Sequence, residues 1–126
     1  MNRDKLLDYD EMTPLEIRRK TGKYFTDTDI GSYIANLIWD ILEPDFILEP
    51  YVGGGSLIIP FFSKNIQCTV NDIESDCIKL LQEEYSRYSL CTYKNHNFFA
   101  ISTKEIIENW NIPPEKDKKF LIYSNP

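Results

Sequence analysis

No apolar run in the 126 residues is long enough to cross a bilayer, a task that needs about 18–20 residues. No membrane partner is therefore expected. Met1-Asn2-Arg3-Asp4-Lys5 leads into no apolar stretch, so a secretory leader is not expected either. Cysteine is scarce. Cys68, Cys77 and Cys91 are odd in number and form no C-x-x-C pair, which excludes a disulfide frame or zinc site and fits reduced thiols in a cytoplasmic protein. The single histidine, His96, has no metal-like partner set near it in sequence. Basic residues are outnumbered: 14 Lys+Arg against 20 Asp+Glu leave a net charge of −6. A self-sufficient grip on nucleic acid needs a basic face, so the balance argues against one. It leaves open a part of a larger nucleic-acid enzyme. With 42% hydrophobic and 13% aromatic residues, the chain is not globally disordered, and its length allows one domain.

Residues 1–23 are polar and charged. Thr13-Pro14 reads as an N-cap with proline at the first helical position, so a short helix is expected over 14–20. The strongest helix signal follows Thr26. Ile30, Tyr33, Ile34, Leu37, Ile38, Ile41 and Leu42 lie at offsets 0, 3, 4, 7, 8, 11 and 12, a single helical stripe. Thr26 or Asp27 can cap it, and Glu43-Pro44 stops it. Four strand candidates follow: 46–48, 67–70, 90–93 and 120–123. Helical stretches are expected between them over 57–64, 75–86 and 102–110. Such alternation implies an α/β fold with a mostly parallel sheet and helices on both faces.

Gly53, Gly54 and Gly55 follow the first strand and lead into Ser56-Leu57-Ile58-Ile59. A strand, a glycine-rich turn and a helix start let backbone approach a ligand closely. The same glycines serve a tight turn on steric grounds alone, and both readings stand on this motif. Pro60 means that a regular helix starts near Leu57 or is distorted at the proline. Asp72 ends the second strand 17 residues after Gly55. In a βαβ unit, that spacing brings a carboxylate beside the glycine corner, where it can accept hydrogen bonds from ribose hydroxyls. An isolated acid there would be a loop or cap residue. The conjunction points to a nucleoside-containing ligand.

Ile47-Leu48-Glu49-Pro50-Tyr51-Val52-Gly53-Gly54-Gly55-Ser56 resembles the first cofactor motif of N6-adenine DNA methyltransferases of restriction–modification systems, a (D/E)-P-x-x-G-x-G pattern. Val70-Asn71-Asp72-Ile73-Glu74 resembles their second motif, whose acid holds the cofactor ribose. Thr21-Gly22-Lys23-Tyr24-Phe25-Thr26 and the following helix resemble the segment that touches the methionine end of the cofactor. Tyr123-Ser124-Asn125-Pro126 resembles the opening of the catalytic N-P-P-(Y/F) motif. The likeness covers residues 18–126.

The resemblance implies S-adenosyl-L-methionine (SAM) as cofactor, a Rossmann-like class I methyltransferase sheet of order 3-2-1-4, and methylation of the adenine N6 amine in DNA. It divides the chain into an N-terminal segment, 1–25, and an incomplete methyltransferase domain, 26–126. Tyr24, Phe25, Thr26, Glu49, Pro50, Gly53, Gly55, Asp72, Ile73, Asn97 and Phe98 become the cofactor residues, and Asn125 and Pro126 the catalytic ones. Glu49 would lie near the cofactor amino group, or bond backbone in the turn. In the third-strand motif, Asn97 replaces an acid that receives the cofactor adenine; its amide oxygen can still accept that bond. Phe98 or Phe99 would pack on the adenine ring or belong to the core. The exocyclic amine of the target base is a weak nucleophile. The Asn125 side chain and Pro126 carbonyl would accept its two N–H groups and favour in-line methyl transfer.

The sequence stops inside the catalytic motif, before the aromatic that would stack on a flipped base. The expectation is therefore the cofactor half of an enzyme, inactive alone, meeting DNA through other parts or a complementing C-terminal chain. The fourth strand would present an open apolar edge, prone to self-association. Alternatives are a non-catalytic SAM-binding interaction module, or part of an RNA or protein-glutamine methyltransferase.

Overall fold

The structure is a computed structural model that describes residues 27–125. The helix expected over 14–20, the cofactor candidates Tyr24, Phe25 and Thr26, and catalytic Pro126 lie outside the described residues.

Helix α1, Thr28–Leu42, starts at Asp27, whose carboxylate accepts the N–H of Asp29 at 2.8 Å and of Ile30 at 3.4 Å. It ends at Glu43 in the left-handed region, immediately before Pro44. Then follow β1 (Phe46–Glu49), a 3₁₀ segment (Ile59–Lys64), β2 (Gln67–Asn71), α2 (Ser75–Glu84) and β3 (Cys91–Lys94). A short 3₁₀ turn (Phe98–Ala100), α3 (Thr103–Asn109) and β4 (Phe120–Ile122) complete the described chain. All pairings are parallel, and the strand order is β3-β2-β1-β4. The α/β class and the 3-2-1-4 order expected from the sequence are both present.

β1 is buried along its whole length, as an inner strand covered on both faces should be. Alternation sends Ile47 to one core and Phe46 and Leu48 to the other. The larger core joins Ala35 of α1, Phe61 of the 3₁₀ segment and Ile78 and Leu81 of α2 to Ile47, Cys68 and Val70. The smaller core gathers Phe46, Leu48 and Trp110, with Phe98 and Ile106 packed against them. Thr69, buried in β2, donates its hydroxyl to the Trp110 carbonyl at 2.6 Å and fastens the end of α3 beneath the sheet.

Two elements take forms that the sequence left open. The stretch 57–64 is not a regular α-helix; turns lead to a 3₁₀ segment with Pro60 in its first turn, where its missing N–H costs nothing. The apolar stripe of α1 is only partly buried. Gly31 and Ala35 are buried, with Ile38 and Trp39 packed on the core, whereas Ile30, Tyr33, Leu37, Leu42 and Ile41 (76% accessible) are exposed. The cause is a close approach of backbones. A Cβ on Gly31 would stand 2.3 Å from the Ser56 carbonyl oxygen, so α1 rests its small-residue edge on the glycine turn. Periodicity identifies the helix, but this contact chooses its buried face.

Candidate functional site

The C-terminal ends of β1, β2 and β3 converge on one buried asparagine. Asn71 is 1% accessible and uses three of its hydrogen-bonding positions. Its Nδ2 donates to the Pro50 carbonyl at 3.1 Å and to the His96 carbonyl at 3.0 Å, and its Oδ1 accepts the His96 N–H at 2.9 Å. The Asn71 carbonyl also accepts the Val52 N–H at 2.9 Å. One side chain thus sets the spacing between the loops after β1 and β3.

The glycine corner and the acid meet. Gly53 donates its N–H to Asp72 Oδ2 at 2.9 Å, while Asp72 Oδ1 accepts the Glu74 N–H at 2.9 Å. A carboxylate oxygen has two lone pairs, so each retains acceptor capacity for a ligand. Gly53 sits at φ +53° and Gly55 at φ +86°, conformations that glycine adopts without strain. Gly55 also serves packing: a Cβ there would lie 2.7 Å from Leu81 and 2.9 Å from Ile59. Steric need therefore accounts for Gly55, and the contact with the acid sets Gly53 apart.

Ile73, next to Asp72, is exposed. Asn95 donates through Nδ2 to the carbonyls of Asp72 at 2.9 Å and Ile73 at 3.1 Å, tying the β3 loop to the acid. Asn97, exposed, uses its Oδ1 to accept the Phe99 N–H at 3.1 Å, capping the 3₁₀ turn. Phe98 lies half-buried against the Trp110 core and meets Tyr51 edge-on at 5.7 Å. Phe99, 89% accessible, stands 6.0 Å from Tyr51 across the same corner.

On the other side of β1, polar atoms are buried without partners. Glu49 Oε2, the Tyr123 hydroxyl and Ser124 Oγ have no hydrogen bond among the described residues. Glu49 is 1% accessible at the end of β1, and Tyr123 follows β4, its N–H bonded to the Leu48 carbonyl at 3.0 Å. Pro50, also buried, separates Glu49 from the glycine corner. Asn125, exposed, lies just beyond Ser124. The site therefore brings together Glu49, Pro50, Gly53, Gly55, Asp72, Ile73, Asn97 and Phe98 along one end of the sheet, with Asn125 beyond β4. Asn71 and Asn95 were not among the residues singled out from sequence. Asn71 was signalled only by its place just before the acid in a short strand candidate, and Asn95 by nothing.

Burial first, and the charge of Asp72 second, hold the Glu49 carboxyl well above its ordinary value near 4.5. Burial and the neighbouring Glu49 charge push the Tyr123 phenol up to about 12. A carboxyl raised in the folded state stays protonated there while its unfolded counterpart ionises, so folding takes up a proton. Stability is then full below the unfolded value and falls as pH rises toward the raised folded one. Glu49→Gln removes this dependence. Its urea midpoint, relative to the unaltered chain, is expected to rise between about pH 4 and about pH 7. Parallel pH profiles for the two proteins would contradict it.

The chain matches no protein-family model and no curated protein sequence. Among the described residues, no cluster of metal-ligating side chains occurs and no helix is long and apolar enough to cross a membrane.

Proposed function

We propose that this chain is the cofactor-binding part of a SAM-dependent N6-adenine DNA methyltransferase of the restriction–modification type, its four parallel strands forming part of a Rossmann-like class I sheet. The observation that carries the reading is the 2.9 Å hydrogen bond from Gly53 to Asp72 at the C-terminal ends of adjacent parallel strands. That is where open α/β sheets bind ligands. The backbone at Gly53–Gly55 gives close approach, and the remaining lone pairs of Asp72 suit two ribose hydroxyls. Ile73 and Phe99 offer apolar surface for a purine on the same side.

The buried orphan atoms test the fit of the cofactor. Glu49 Oε2 and the nearby Tyr123 hydroxyl, with Ser124 Oγ following in sequence, are buried and have no hydrogen bond among the described residues. A cation that ionises Glu49 would satisfy it. SAM carries an ammonium and a sulfonium, and when bound it supplies the methyl group. Asn125 at the β4 end would accept an N–H of the target amine, and Pro126 the second. The chain's charge of −6 assigns most DNA contact to other surfaces or to a complementing chain.

A second reading, a non-catalytic SAM-binding interaction module, is favoured by one feature. β4 pairs only with β1 among the described residues, and Phe120 and Ile122 are exposed beside its open edge. That edge would take a further strand from a partner or a second copy.

Methyl transfer separates the readings. The chain in its full genomic reading frame is incubated with methyl-labelled SAM and adenine-containing duplex DNA. Label in N6-methyladenine is expected, reduced by about 100-fold or more in Asn125→Ala. SAM binding without transfer would favour the interaction module. Label in RNA or glutamine would replace the substrate assignment.

A further inference from the structure

β2 and β3 place Cys68 and Cys91 directly opposite one another in the parallel ladder. Adjacent strands run about 4.8 Å apart, inside the roughly 4.4–6.8 Å range over which two Cα atoms accept a disulfide. Both side chains join the larger core with Val70 and Tyr93, so they leave the same face of the sheet. Among the described residues, the Cys91 thiol donates only to the Thr92 carbonyl, at 3.9 Å, and lies close enough to Cys68 to raise its pKa. Their environments differ in a useful way. Cys68 is 1% accessible on an inner strand, whereas Cys91 is half-buried on the edge strand and can be reached from solvent. Cys77, the third cysteine, is buried on α2 and not in the strand ladder.

We propose that Cys68 and Cys91 form a modification site, a thiol pair that closes to a disulfide by exchange with a small-molecule disulfide. Cys91, as thiolate, attacks one sulfur of R–S–S–R; that bond breaks, and R–S⁻ leaves and takes a proton from solvent. Cys68 then attacks the Cys91 sulfur and gives up its proton, which the second R–S⁻ takes as it is expelled, leaving as R–SH. The protein pair is oxidised by two electrons and the small disulfide is reduced to its two thiols. Contact with Cys91, and then burial, hold the Cys68 thiol far above its ordinary range, which leaves the first attack to Cys91. Closure staples the edge strand to β2. It steadies the loop that starts at Asn95, and so the backbone around Asp72.

Peptide mapping tests this. The reduced chain is incubated with oxidised glutathione, alkylated under denaturing conditions and cleaved, without reduction, both before Asp and after Lys and Arg. Cleavage before Asp72 parts Cys68 from Cys77, and cleavage after Lys79 parts Cys77 from Cys91. The expected product is a Cys68–Cys91 linked peptide with Cys77 alkylated, and a melting temperature higher by about 5 °C than in the reduced chain. A chain that keeps all its thiols alkylatable overturns the proposal, as does one that stops at a mixed disulfide or links through Cys77. Two variants test the order. Cys68→Ala should accumulate a glutathione mixed disulfide on Cys91, and Cys91→Ala should take up none while folded. Uptake at Cys68 in the latter would overturn the assignment of Cys91 as first nucleophile.

Discussion

Gly31→Ala is expected to destabilise the fold by about 2 kcal/mol, although the same change inside an ordinary helix stabilises by roughly 0.5–1 kcal/mol. Two opposing effects meet at this residue. Alanine lowers the backbone entropy lost on folding and improves helix propensity. Its Cβ, however, would stand 2.3 Å from the Ser56 carbonyl oxygen and 2.9 Å from the Ser56 carbonyl carbon. Those atoms are backbone in the turn that follows the glycine corner, so no side-chain rotation relieves the clash. Either α1 lifts away or the turn shifts, and overpacking of this kind costs about 1–3 kcal/mol. The clash outweighs the propensity gain. Urea unfolding of the two proteins measures the difference, and an unchanged or raised midpoint in Gly31→Ala would show that α1 does not rest on the corner.

Asn71→Ala is expected to cost about 3 kcal/mol, a larger loss than its modest side-chain volume suggests. Removing the amide leaves the carbonyls of Pro50 and His96 and the N–H of His96 without partners. Each buried polar group so orphaned costs roughly 1–3 kcal/mol. The exposed position of His96 lets water recover part of that loss. The effect should also be local. Amide exchange should quicken together in the loops after β1 and β3, because one side chain joins them. A loss under about 1 kcal/mol, with exchange unchanged in both loops, would mean that the loops hold their positions without it.

These two residues mark where sequence reasoning ran out. The strands were legible because short apolar runs stand between breakers: Phe46–Leu48 lies between Pro44 and Pro50, and Phe120–Ile122 follows a charged loop. The acid and the glycines were legible because a βαβ unit fixes their separation, and the Gly53–Asp72 hydrogen bond joins them. Asn71 was not, because its three partners lie 21 and 25 residues away and become neighbours only once the sheet is assembled. Gly31 was not, because periodicity reports which residues share a face but not how near another backbone comes. The same limit hid the exposure of the α1 stripe. Cys68 and Cys91 met only through strand register, which spacing does not reveal. Pro60 did signal its distortion, and a 3₁₀ segment replaces the regular helix there.

The central claim is that the corner at Gly53 and Asp72 binds the nucleoside of SAM. Calorimetric titration with S-adenosylhomocysteine, ATP and NAD tests it most directly, on the unaltered chain, on Asp72→Ala and on Gly53→Asn. Asparagine tolerates the left-handed backbone at φ +53° while adding a side chain where the ligand's approach is closest. S-adenosylhomocysteine is expected to bind in preference to ATP and NAD. A loss of about 1–3 kcal/mol is expected in Asp72→Ala, and no measurable binding in Gly53→Asn. Undiminished binding in both variants, or no preference for S-adenosylhomocysteine in the unaltered chain, would contradict it.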